Sequence, residues 1–256
     1  MSGVGAIRAY ALRRSLRGFR LLAPLGIALL PTLVASVAVA FPGHGKKGFE
    51  IYLGIIVPLT LYFVLSFVAM FGMLPVLAEL YAKGRVGYLY TRPAARWVPL
   101  AGLLQGAWLG SLVPLFIGAA APALVLAVGL PDDFFQPWFG TVLPLCALLA
   151  IGSLAYGSVF LFLGVWSKQA VIWALGVSVV WGSVVGSLPG SMRNWSLHHY
   201  LLGLARNWCG VKEVQTGIFP PTADPPSTLL SLAVLFGVSA AFLYFSWRIA
   251  RRRDVM

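Results

Sequence analysis

Among the polar residues between Glu79 and Arg96, seven offer chemistry: Glu79, Tyr81, Lys83, Arg85, Tyr88, Arg92 and Arg96. They interrupt two charge-free apolar runs, Ile51–Ala78 and Trp97–Pro131. The chemistry they offer is recognition. Glu79 can accept charged hydrogen bonds, while Arg92 and Arg96 can grip carboxylates or carbonyls through paired hydrogen bonds. Tyr81 and Tyr88 add rigid amphipathic area suited to a protein interface. A plainer reading is that the basic residues only fix topology and touch anionic lipid. Topology needs neither the acid nor the tyrosines, so a docking element is the expectation. Gly84 and Gly87 weaken a continuous helix and Pro93 disfavours helix at Arg92, so the element is short or forms only when docked.

The other reactive side chains are sparse. His198, His199 and Cys209 could be taken for a metal cluster, but adjacent histidines on a helix point about 100° apart and no carboxylate lies at ligand spacing. The expectation there is an interfacial helix. Cys146 and Cys209 have no spacing that points to a disulfide or a metal, and both are read as unpaired. Gly43-His44-Gly45-Lys46-Lys47 is the nearest approach to a phosphate-binding loop, yet it lacks the first glycine and the final hydroxyl. No nucleotide hydrolysis is expected of this chain. No nucleophile pairs with a base either, so an enzyme is not expected.

The elements that carry these residues are set by composition. Of 256 residues, 59% are hydrophobic and 10% charged, against about 25% charged in soluble domains. The chain is therefore expected to be an integral membrane protein with a single, all-α transmembrane domain. A net charge of +12 raises the question of nucleic acid, but the charges lie at the ends of apolar runs without interleaved aromatics, and no nucleic-acid partner is expected.

Six spans are expected, at 21–41, 51–77, 97–129, 140–166, 170–188 and 228–247. The third belongs to a charge-free run of 35 residues, about 52 Å as helix. It must tilt, protrude or break, and Pro114 and Pro122 are the places to break. Gly102, Gly106 and Gly110 form a small-xxx-small packing face there, and Gly182 and Gly186 form another in the fifth span. Residues 1–20 carry Arg13, Arg17 and Arg20 within one helical arc, with Val4, Ile7 and Ala11 opposite. That pattern fits either an amphipathic helix in the headgroup plane or a basic flank that sets orientation. The first span is longer than the 7–15 apolar residues of a signal peptide and is read as retained. The extracytoplasmic segment 189–227 holds a polar helix over Asn194–Cys209.

With both termini cytoplasmic, fourteen of the nineteen Lys and Arg residues fall inside, a strong positive-inside bias. The 79–96 loop is then cytoplasmic. No Asp, Glu, His or Lys lies within the expected spans, which argues against ion-coupled transport through side-chain relays. Sodium coupling through backbone carbonyls at broken helices stays open.

The layout resembles the permease subunits of ATP-binding-cassette exporters of the second type. The likeness rests on a basic N-terminal helix, six spans and a cytoplasmic loop of the form E-x(4)-G-x(3)-Y-x(3)-R-P-x(2)-R from Glu79 to Arg96. The late segment LPGSMRNWSLHHYLLGLARNW and a final span ending in RRRD complete it. The resemblance implies a cytoplasmic coupling helix at 79–96 and short outer-leaflet helices before the last span. It also implies cytoplasmic ATPase partners that bind ATP and Mg, and a second permease, identical or related. This chain would bind no cofactor itself. Its apolar spans suit a hydrophobic, lipid-like or drug-like substrate exported across the plasma (inner) membrane. The rival expectations are a stand-alone channel or secondary transporter, and a membrane anchor for a non-transporting ATPase complex.

Overall fold

The computed structural model describes residues 3–41, 48–82, 97–130, 135–167, 169–180, 194–210 and 226–252. These are almost wholly helical, with no strand among them. Five helical stretches are long and apolar enough to cross a membrane: Arg20–Ala40, Gly48–Ala78, Trp97–Gly129, Gly140–Trp166 and Thr228–Arg251. Each matches or exceeds the roughly 20 residues that a hydrocarbon core requires. The chain is a multi-pass membrane protein. The expected span at 170–188 is described only as a shorter apolar helix over Ala170–Val180; its remainder, with Gly182 and Gly186, lies outside the described residues.

Helix α1 covers Gly3–Ser15, and the chain turns at Gly18, whose φ of 64° favours glycine. Helices α2 (Phe19–Ala28) and α3 (Leu30–Ala40) follow. The joint at Leu29 precedes Pro31, which has no N–H to continue the ladder. The second span is composite. It comprises α4 (Gly48–Ile51), a π-helical turn at Tyr52–Ile56, α5 (Val57–Leu59), a second π turn at Thr60–Val64, and α6 (Leu65–Ala82). Pro58, between the two π turns, removes one ladder donor, and the Thr60 hydroxyl donates to the Ile56 carbonyl at 2.8 Å.

Helix α7 (Trp97–Gly129) keeps both Pro114 and Pro122 inside one continuous helix. The break considered from sequence does not occur, so its 33 residues extend about 49 Å. Helix α8 (Phe135–Trp166) is almost as long. Helices α9 (Ala170–Gly176), α10 (Leu197–Cys209) and α11 (Thr228–Arg252) complete the described order.

Small residues set the spacing between helices. Helix α1 runs beside the first part of α7 in the same direction, matching it turn for turn. A Cβ added to Gly102 would stand 3.0 Å from Ile7 Cβ, one on Gly106 would stand 2.5 Å from Ala11 Cβ, and one on Gly110 would strike the Ser15 hydroxyl. Further along, Gly118 takes Ala28 of α2, and Gly129 takes Val39 of α3. Helix α6 runs antiparallel to α7, with Gly72 against Ser111, while Tyr52 donates to the Ala119 carbonyl at 2.9 Å. On α8, Gly152 and Gly164 receive Leu65 and Leu77 of the second span. Trp108 Nε1 of α7 donates to the Ala150 carbonyl of α8 at 2.9 Å. At the far end, Phe162 of α8 packs edge-on to Phe242 of α11 at 5.3 Å.

Candidate functional site

The 79–96 segment connects α6 to α7. Glu79 and Tyr81 belong to the last turn of α6, with side chains outside the described residues. Lys83, Arg85, Tyr88, Arg92 and Arg96 lie outside the described residues altogether. What is described is how the segment is tethered. Helix α6 enters it and α7 leaves it, and the two pack together through Gly72 and Ser111. Both also pack on α8, α6 through Leu77 at Gly164 and α7 through Trp108 at Ala150. A displacement of the segment is thus delivered to two helices of one bundle.

The N-terminal arginines do not share one helix. Arg13 is exposed on α1, Arg17 is exposed in the turn after it, and Arg20 stands half-buried on α2. Gly18 breaks the continuous helix expected over 1–20. The face of Val4, Ile7 and Ala11, which suited a headgroup plane, is spent on the glycine face of α7 instead. Arg20 lines a narrow recess with Ser15, Phe71, Gly72, Pro75 and Ser111. Pro75 lies inside α6 and lacks the N–H that would bond the Phe71 carbonyl.

The largest departure concerns α10. Ser196 caps its first turn, accepting from the His198 backbone N–H at 3.2 Å, and Gly210 with φ 67° ends it. The helix is amphipathic. Its His198, His199, Leu201, Gly203, Leu204, Ala205 and Cys209 are buried, while Asn207 faces out. Asn207 Nδ2 donates to Thr228 Oγ1 at 3.1 Å, tying α10 to α11. The histidine face, expected at an interface, enters the bundle.

His198 has no exposed surface. Its ring lies 3.8 Å from the Tyr62 ring, centroid to centroid, and its Nδ1 is 3.3 Å from the Tyr156 hydroxyl. Nε2 is buried, with no hydrogen-bond partner among the described residues. Burial holds the imidazole neutral, pushing its pKa down to about 3. Tyr156 in turn stacks on Phe160 at 6.0 Å. Tyr62 belongs to the second π turn and Tyr156 to α8, so this one imidazole joins three elements of the bundle. The signal available in the sequence was the apolar face of α10 on which His198 and Leu201 fall, a face that averaging over a polar segment hides. Cys209 is also buried and free, with burial and then Cys146 pushing its thiol up to about 12. Among the described residues no three His, Cys, Asp or Glu side chains come together as a metal site.

No known family model matches this chain, and no curated protein matches it in sequence.

Proposed function

We propose that the chain is the permease subunit of an ATP-driven exporter. In this reading it crosses the plasma membrane six times, with both termini cytoplasmic, and pairs with a second permease. Separate ATPase subunits bind ATP and Mg and dock on residues 79–96. The observation that carries the reading is the tether of that segment. It is strongly basic, it includes Glu79, Tyr81 and Tyr88, and it joins two antiparallel helices locked together at Gly72 and Ser111. A push on it moves α6 and α7 together against α8, which is how closure of a partner would be passed into the bundle. The interior among the described residues is apolar and aromatic, which suits a hydrophobic, lipid-like or drug-like substrate.

Co-purification with partner identification tests the reading. The chain should bring down a nucleotide-hydrolysing subunit, and Arg92→Ala with Tyr88→Ala should weaken that association and stop ATP-dependent export by the intact complex. Unchanged recovery and unchanged export in the double variant would sink it. One observation favours a second reading. His198 places an ionisable group inside the bundle, where ion-coupled carriers keep their relays. Flux carried by the pure chain in vesicles, without any ATPase, would decide for that stand-alone transporter.

A further inference from the structure

We propose that His198, Tyr62 and Tyr156 form a binding site for a neutral, hydrophobic molecule bearing a hydrogen-bond-accepting oxygen, such as a ketone, ester or ether. As a substrate site it rests on the exporter reading; as a binding site it stands on this chain alone.

The polar accounting around His198 points to a donor in search of an acceptor. An imidazole that carries its proton on Nδ1 would donate to Tyr156. The lone pair on Nε2 and the hydroxyl proton of Tyr156 would then both lack partners. With the proton on Nε2, Tyr156 donates to Nδ1 at 3.3 Å and only the Nε2–H is left over. The second arrangement leaves fewer buried groups unsatisfied, so the tautomer is Nε2–H. A buried donor without an acceptor is costly and uncommon, and one held this firmly is suited to an oxygen supplied from outside the chain.

The surroundings define what carries that oxygen. Tyr62 lies against the imidazole with its ring tilted by 31°, Phe160 continues the aromatic wall behind Tyr156, and Leu201 is buried one turn along α10. The polar neighbours along this stretch are Ser196, which caps α10, and the buried ring of His199. A charged ligand would find no counter-charge among these described neighbours, at high cost, whereas a neutral aromatic or aliphatic body is accommodated. Access runs past Tyr62. Its ring is half-buried rather than sealed, and it stands on a π turn beside Pro58, the kind of local ladder defect common at functional sites. A swing of that ring uncovers Nε2–H.

Benzophenone is the probe: a neutral diaryl ketone that, under near-ultraviolet light, inserts into adjacent C–H bonds. The purified full chain in neutral detergent, without ATPase or ATP, is irradiated with it and adducts are mapped by mass spectrometry. Label is expected on peptides carrying Tyr62, Tyr156 or residues 197–209. Diphenylmethane, the same body without the oxygen, should not compete. His198→Phe should lose labelling about tenfold, the scale of one buried hydrogen bond, while His198→Gln, which restores a terminal N–H, should keep most of it. The ¹⁵N resonance of His198 Nε2 should move on titration with benzophenone. Equal labelling of His198→Phe, equal competition by diphenylmethane, or an unmoved Nε2 resonance would overturn the proposal; the last would mark a lone bridging water only. Far-ultraviolet circular dichroism checks that each variant folds. If His198→Phe does not fold, the diphenylmethane and resonance measurements on the unmodified chain decide. These outcomes are independent of export by the complex, so failure of either proposal is seen separately.

Discussion

Gly106 of α7 lies against Ala11 of α1 so closely that a methyl group on the glycine would stand 2.5 Å from both the Ala11 Cβ and the Arg8 carbonyl oxygen. The second of these is backbone, which cannot swing aside as a flexible side chain can. The N-terminal helix is seated on α7 at a distance that only glycine permits.

Gly106→Ala should therefore destabilise the protein by about 1–3 kcal/mol, the usual cost of overpacking. Gly157→Ala is the matched control, since its added methyl would meet Leu104 at 3.5 Å and Met73 at 3.8 Å, ordinary contact distances. That variant should be neutral or stabilised by about 0.4–1 kcal/mol through the less flexible unfolded chain. Thermal unfolding in detergent, followed by tryptophan fluorescence, compares the two. Equal behaviour would show that α1 is not seated on this face.

Trp108→Phe removes the N–H that reaches the Ala150 carbonyl across the α7–α8 seam. The carbonyl lies within α8 and keeps its ladder partner, so the loss should be modest, about 0.5–1.5 kcal/mol. A loss above about 3 kcal/mol in denaturant unfolding would mean that the indole carries more of the seam than one hydrogen bond.

Stability should depend on pH through His198. Its pKa is pushed down to about 3 in the folded chain, against about 6.5 in an unfolded one. Between those values the unfolded state binds a proton that the folded state refuses. Stability is thus fully present above about pH 6.5 and falls as pH drops towards 3, by at most about 1.4 kcal/mol per pH unit. Unfolding midpoints across that window should slope for the natural chain and flatten for His198→Gln. Parallel slopes would place the sensitivity elsewhere.

If the 79–96 segment docks an ATPase as proposed, Arg92→Ala should reduce that association by about tenfold, in line with loss of a paired charged hydrogen bond. Arg92→Lys should recover only part of it, because a lysine cannot make the planar two-point contact. Pull-down titrations measure both. Full recovery with lysine would reduce the segment to a patch of positive charge.

The all-helical, multi-pass character is legible in the sequence because it depends on local quantities, run length and charge placement. Helix α7 is an example: a charge-free run either crosses or it does not, and no distant contact is needed to see it. Partners are less visible. The four-residue spacing of Gly102, Gly106 and Gly110 marks a close-packing face, but that α1 fills it depends on a contact about 95 residues away. The break at Gly18 rests on a single residue within a basic stretch whose helical periodicity continues on both sides. His198 is the clearest lesson at the site. Averaged over its segment it belongs to a polar connection, and only the packing of α10 against Tyr62 and Tyr156 turns it into a buried group.

The two π turns of the second span have a consequence for phase. Each holds one residue more than an α-helical turn, and one residue corresponds to about 100° of rotation. Everything from Leu65 to Ala82 is therefore wound to a different azimuth than an uninterrupted helix begun at Gly48 would give it. The cluster that meets Ser111, Gly152 and Gly164 faces them because of those surplus residues. Deleting a single residue at 52–56 would leave the span nearly as long and as greasy as before, but it would aim the stem of the 79–96 loop in the wrong direction.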